Sequence, residues 1–314
     1  MNLFSPKSLQ RSKLKDLFSN LEQSGYYFKK EGPNQLVKLR KNAEELSPLV
    51  KLFGLGLPVL KSEINISKEL SSLLLIFDDH FKSPFSITTE DNGSLHIHDH
   101  WPPKENDDYI HLGQDSFQLK NELDRFQSEL KDKLVLDLGC GQGVLSLAAA
   151  THGAEVLGLD CSKRSIELAD LMKKFYNFNN LSFHESIIGS GNHSLNTVKD
   201  FQRGREIDLI VFNPPLVVSH SAEKVTYRDG GDMGIEILFL FLNFIKTIES
   251  FKEVWFICGD PEVGGKRVVQ SQLKKESYFS VNERRVLKER FNQELIHNTS
   301  ITNIELVMYK LKKR

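Results

Sequence analysis

The chain has 314 residues, 39% of them hydrophobic, enough for one large domain or two ordinary ones that fold without metals or crosslinks. Cys140, Cys161 and Cys258 lie far apart with no C-x-x-C pair, which excludes a disulfide framework and a zinc knuckle. No apolar segment follows Lys7, Arg11, Lys13 and Lys15, and no run nears the ~18 apolar residues of a membrane span, so the expectation is an unexported protein of the reducing cytoplasm with no membrane partner. The net charge of −1 conceals two basic ends: nine Lys/Arg against three Asp/Glu in residues 1–41, and twelve against five in 263–314. Such ends either face phosphates or an acidic partner, or form solvated surface.

From about residue 5 to 80, Leu9, Leu14, Leu17, Phe18 and Leu21 recur at three- and four-residue steps, predicting helices. Gly32-Pro33, Ser47-Pro48 and Gly54–Pro58 punctuate them, and Leu70–Phe77 reads as a buried helical segment. In the following stretch, His96, His98 and His100 alternate along an expected hairpin strand. Three imidazoles on one face could bind Zn²⁺, but no acid or cysteine cluster accompanies them, so exposed hairpin histidines and no metal are expected. Trp101-Pro-Pro103 then places a boundary near 105, giving a mainly helical N-terminal domain, 1–105, and a second domain, 106–314.

In the second domain, apolar strand-like runs at 134–138, 155–159, 181–184, 207–212 and 254–258 alternate with amphipathic segments. That alternation predicts an α/β, Rossmann-like domain: a parallel sheet with helices on both faces. Ser280–Lys288 and Ile304–Leu311 read as paired closing strands, and the basic tail Lys310–Arg314 as a solvated chain end.

The first strand runs into Gly139-Cys140-Gly141-Gln142-Gly143 and then a helix near Val144. Glycines at the carboxyl end of such a strand let the backbone approach a ligand closely. A dinucleotide-binding loop would carry its last glycine one place later, where Val144 stands. Asp137 would repel a pyrophosphate but attract a cationic amino group. Seventeen residues after Gly143 the second strand ends in Asp160-Cys161, with Asp160 placed to accept hydrogen bonds from both ribose hydroxyls. This combination resembles motif I and the following acidic strand end of class I S-adenosylmethionine-dependent methyltransferases, which implies a seven-stranded sheet, S-adenosylmethionine as cofactor, and an adenine contact after the third strand from Glu185 or Ser186.

The fourth strand terminates in Asn213-Pro214-Pro215-Leu216, and two prolines cannot continue a central strand. The Asn213 side-chain oxygen and the Pro214 carbonyl could accept both hydrogens of a planar NH2 group and align its nitrogen for methyl transfer. The tetrapeptide is similar to the N-P-P-aromatic motif of methyltransferases that modify glutamine amides or exocyclic base amines. Leu216 departs from it, lacking the ring that would stack on a base. Together with Asp115-Ser116 in Tyr109–Leu119 and with Asp229-Gly-Gly-Asp-Met-Gly-Ile-Glu236, the motif resembles HemK-like protein-glutamine methyltransferases over about residues 107–260, motifs shared with related ribosomal-RNA guanine methyltransferases. By that resemblance Asp115 and Ser116 lie near the cofactor, and the N-terminal domain selects substrate. The expected function is N-methyl transfer to a protein glutamine amide. The alternatives are an rRNA or tRNA base, a small-molecule acceptor using residues 1–105 as a lid, and a binding protein that has lost catalysis.

Overall fold

Buried Leu14, Leu17, Phe18 and Leu21 form one face of the first helix, Arg11–Gln23, and Pro33 opens the second, Pro33–Lys41. The computed structural model describes residues 4–30, 32–101, 108–188, 192–219, 228–291 and 300–314. They divide into two units, 1–114 with 167–177 and 115–166 with 178–314. Pro102 and Pro103, with the boundary expected near residue 105, lie outside the described residues.

The first unit carries short strands beside its helices. Strand Ser86–Thr89 pairs antiparallel with Leu95–His98, and Val59–Leu60, His80–Lys82 and Leu75–Phe77 make a small sheet. The helix expected over Leu70–Phe77 is only the turn Lys68–Ser71. Ser71 and Ser72 turn their hydroxyls back onto the carbonyls of Lys68 and Glu69 (2.8 and 2.6 Å), and Asp78, left-handed at φ 44°, returns the chain into a hairpin. Leu75, Ile76 and Phe77 are exposed on this strand. An unbroken apolar run has no period with which to tell helix from strand.

His96 and His98 are buried and His100 is half-buried, rather than exposed. His98 bonds to Thr88 Oγ1 (2.8 Å) and the Asp99 carbonyl (2.7 Å), His100 to Ser86 Oγ (2.6 Å) and the Ser83 carbonyl (2.7 Å), and His96 to Glu90.

The second unit is built on one sheet of strands β1 (Leu134–Leu138), β2 (Glu155–Asp160), β3 (Leu181–Glu185), β4 (Ile207–Phe212), β5 (Phe251–Val263), β6 (Phe279–Lys288) and β7 (Ile301–Lys313). Their order is 3-2-1-4-5-7-6, with the first five parallel and β7 antiparallel to both neighbours; a two-residue strand, Lys266–Arg267, folds back on β5 as an eighth. β1 is buried throughout, as expected of a central parallel strand covered on both faces. Helix Glu236–Ile245 buries Phe241 against Phe212, ring centroids 4.0 Å apart, and Phe256 stacks on Tyr309.

The sequence underestimates the closing strands. β4 ends at Phe212 opposite Phe256, but β5 continues to Val263 along β7. The basic tail is not a solvated end: it completes β7, and Lys310 is buried over the rings of Phe126 (4.2 Å) and Trp255 (4.6 Å). Lysine carries a long apolar stem that packs well when its ammonium finds a carboxylate. Glu122 supplies it at 2.5 Å and also accepts from Arg285 (2.5 Å), tying helix Gln114–Arg125 to β6 and β7.

Candidate functional site

Two adjacent strands end level with one another. Leu138 pairs with Phe212, so Gly139 and Asn213 each begin a loop at the same height on the carboxyl edge of the sheet. Gly139, Gly141 and Gly143 all hold positive φ (67°, 54° and 88°), a region open to glycine at little cost, and Gly143 caps helix Val144–Thr151. A side chain on Gly139 would press on the Phe212 ring at 3.1 Å, whereas the space above Gly141 is open for 4 Å.

The two acids flank this loop. Asp160 accepts N–H bonds from Gly141 and Ser162, both 2.8 Å, which clamp the loop to the end of β2 and still leave each oxygen a second lone pair. Burial raises its pKa, against the pull of those N–H donors. Asp137 is fully buried. Its Oδ2 accepts from the Ser146 hydroxyl (2.6 Å), while Oδ1 has no partner among the described residues. Burial pushes its pKa up to about 7, with the nearby Asp160 charge adding to the effect and Ser146 opposing it. An enclosed carboxylate with one oxygen unpaired suits a cationic group. It fits the amino group of S-adenosylmethionine and rejects a phosphate.

Of the two adenine candidates, Ser186 is buried and bonded to Ser194 Oγ (2.6 Å), while Glu185 is exposed at the end of β3. Cys140 is buried; a Cβ at Gly158 would meet the Phe183 ring at 2.5 Å and the Cys140 Sγ at 3.0 Å. Cys161 is exposed.

The acceptor loop is held more tightly than its sequence discloses. The Asn213 Nδ2 donates to Asp115 Oδ2 (2.5 Å) and to Ser116 Oγ (2.9 Å), and its buried Oδ1 is unpartnered among the described residues. Asp115 sits in the first turn of helix Gln114–Arg125, where the helix dipole favours a carboxylate. Beyond Pro214 and Pro215, Leu216 is buried, and Val217–Val218 pair in parallel with Asp229–Gly231. A Cβ on Gly234 would stand 2.7 Å from the Leu216 carbonyl oxygen, so close packing requires that glycine, and Gly231 holds a φ of 92° that favours glycine.

Sequence reasoning missed Ser146, whose signal was a lone polar residue in the apolar run Val144–Ala150. It also missed the bond from Asn213 to Asp115, which joins residues 98 positions apart. Among the described residues, no group of three or more His, Cys, Asp or Glu could hold a metal, and no helix is long and apolar enough to cross a membrane.

The family described as "Methyltransferase domain" matches residues 129–311, more than half of the chain. A Methanocaldococcus jannaschii protein, provisionally named protein N5-glutamine methyltransferase, is 35% identical over 138 residues, 41% of this chain and 61% of that one. Ubiquinone biosynthesis O-methyltransferase of Leptothrix cholodnii is 38% identical over 74 residues, 24% of this chain and 31% of its own. The chain thus spans about three fifths of the first relative and under a third of the second. Among solved structures, a provisionally named RNA methyltransferase of Pyrococcus horikoshii superposes with a TM-score of 0.44 at 20% identity, covering 68% of this chain and 91% of that one.

Proposed function

The chain belongs to the methyltransferase domain family, and from that premise we infer that it transfers a methyl group from S-adenosylmethionine to a nitrogen held by Asn213 and Pro214. The observation that carries this reading is the Asn213 carboxamide, anchored by its NH2 with its oxygen unpartnered, level with the glycine loop. When bound, S-adenosylmethionine supplies a methyl group on positively charged sulfur. Asp137 would hold its ammonium and Asp160 its ribose hydroxyls, while Gly139, Gly141 and Gly143 keep the loop open. Cys140 and Cys161 flank the cofactor, Ser186 supports the end of β3, and Glu185 is the residue free to reach adenine. Asn213 Oδ1 and the Pro214 carbonyl would accept the two hydrogens of the acceptor NH2, and Pro215 stiffens the turn.

A protein glutamine amide is the substrate class favoured. The M. jannaschii relative carries that name. The buried Leu216 offers no ring on which a base could stack. Four of the twelve basic residues of 263–314 that would favour RNA are paired within the fold: Arg267 and Arg284 with Glu305, and Arg285 and Lys310 with Glu122. Residues 1–105 would select the protein partner.

Incubation with methyl-labelled S-adenosylmethionine in a lysate, followed by separation of protein, RNA and small molecules, tests this. Label is expected in protein and, after digestion, as N5-methylglutamine. Label confined to RNA would overturn the substrate class, and absence of cofactor binding by folded protein at millimolar S-adenosylmethionine would overturn the activity.

A further inference from the structure

The orientation of a carboxamide is ordinarily ambiguous, because its O and NH2 ends have nearly the same shape. Here chemistry removes the ambiguity. An ionised carboxylate can only accept, so the end of Asn213 that lies 2.5 Å from Asp115 must be the NH2 group. Ser116 Oγ takes the same nitrogen at 2.9 Å. Two acceptors thus occupy Nδ2 while buried Oδ1 is left without a donor among the described residues. A buried acceptor without a partner is destabilising, and a site that tolerates one has a use for it when a ligand arrives. The pairing also polarises the amide: a negative charge on the NH2 side pushes electron density toward the oxygen.

We propose that Asp115 and Ser116 are positioning residues that clamp the Asn213 carboxamide by its nitrogen, so that only a polarised oxygen faces the acceptor and only a group that donates a hydrogen bond can be received. The proposal rests on Asn213 as the acceptor-holding residue. It adds a selection rule: an ionised oxygen acceptor, as in a phenolate, would bring lone pairs to lone pairs and is rejected, whereas an NH2 group meets the oxygen with an N–H. The first turn of helix Gln114–Arg125 is therefore part of the acceptor site rather than a lid for the cofactor. Ionised Asp115 also strengthens the very oxygen on which positive charge at the alkylated nitrogen would lean.

Nuclear magnetic resonance on the full chain, with side-chain amides of asparagine labelled with ¹⁵N, reads the clamp with no other molecule present. The Asn213 NH2 pair is identified by its loss in Asn213→Ala. In the wild type both protons are expected to exchange slowly with solvent and to lie downfield of free carboxamides. Asp115→Asn should abolish the downfield displacement and speed exchange, and Ser116→Ala should do so in part. Calorimetric titration with S-adenosylmethionine should give Asp115→Asn an affinity within about threefold of wild type. An Asn213 NH2 pair that behaves as an exposed amide in the wild type, or that is unmoved by both substitutions, overturns the clamp. So does a tenfold or larger loss of cofactor affinity in Asp115→Asn, since it would make Asp115 a cofactor ligand. If Asp115→Asn fails to fold, Ser116→Ala decides by the same spectrum. Unimpaired methyl transfer by Asn213→Ala would instead defeat the reading of Asn213 itself, whatever the spectrum shows.

Discussion

Asp137 is a carboxylate enclosed by protein, with one of its two oxygens unpaired among the described residues. Its native pKa of about 7 stands above the ordinary 3.8, so between these values the native state holds a proton that the unfolded chain has released. Stability through this group is therefore full below about pH 4, falls as pH rises toward 7, and stays reduced above it, by roughly 4 kcal/mol at most. Asp137→Asn should raise the Tm of the cofactor-free protein at pH 8 and leave it nearly unchanged at pH 4, as thermal unfolding of the two proteins across pH would record. The same substitution should weaken S-adenosylmethionine binding, because a neutral amide cannot pair with an ammonium; calorimetry at pH 8 would show no weakening if Asp137 lies outside the site. Asn213→Ala should leave cofactor affinity nearly intact and cut methyl transfer by about 10²- to 10³-fold, the range for losing one preorganised polar contact. The glycines and acids were legible because each motif is contiguous and its chemistry local. Ser146 and the Asp115 clamp were not, because a hydrogen bond across 98 residues leaves no trace in spacing.

At the scale of elements, the central strands were readable because burial on both faces writes them as unbroken apolar runs. Leu70–Phe77 is written the same way, but serine hydroxyls and a left-handed Asp78 turn its end into an exposed hairpin. The histidine strand was misread because alternation reveals a common face and says nothing about what covers it. Burial, aided by nearby lysines and Arg40, pushes His100 down to about 4 and His111 to about 3, and lowers His98 well below its ordinary 6.5. Depressed native values make the sign plain: stability from these groups is whole above pH 6.5 and lost as pH falls toward 4, His100 alone accounting for roughly 3 kcal/mol. Hydrogen exchange should therefore show strands Ser86–Thr89 and Leu95–His98 losing protection near pH 4.5, and retained protection there would contradict the assignment of neutral buried rings. Helix Gln114–Arg125 depends on Glu122, which is buried between Lys310 and Arg285. Glu122→Gln leaves Lys310 and Arg285 with Glu283 alone as their counter-charge and should cost about 1–3 kcal/mol in denaturant unfolding.

For the molecule as a whole, the near-zero net charge is the sum of 41 Lys/Arg and 42 Asp/Glu, and internal pairing decides how much of the positive charge is left to face a partner. The twelve basic residues of 263–314 looked like a phosphate-binding surface in one dimension; in three, four of them bind Glu122 and Glu305. Generic single-stranded RNA is accordingly expected to bind more weakly than about 10⁻⁴ M at physiological salt, with a shallow salt dependence, in a fluorescence anisotropy titration. Tight, steeply salt-dependent binding would return the RNA reading to first place.

The level ends of β1 and β4 make the sheet a caliper. Leu138 facing Phe212 sets the distance between the glycine loop and the carboxamide, and it does so through the hydrogen-bond ladder alone. Deleting a single residue within Ile207–Phe212 would shift Asn213 by about 3.3 Å and turn it to the other face. The gauge is digital: the fold could survive such an edit in a surface loop, but here one step in register is the difference between a measured gap and none.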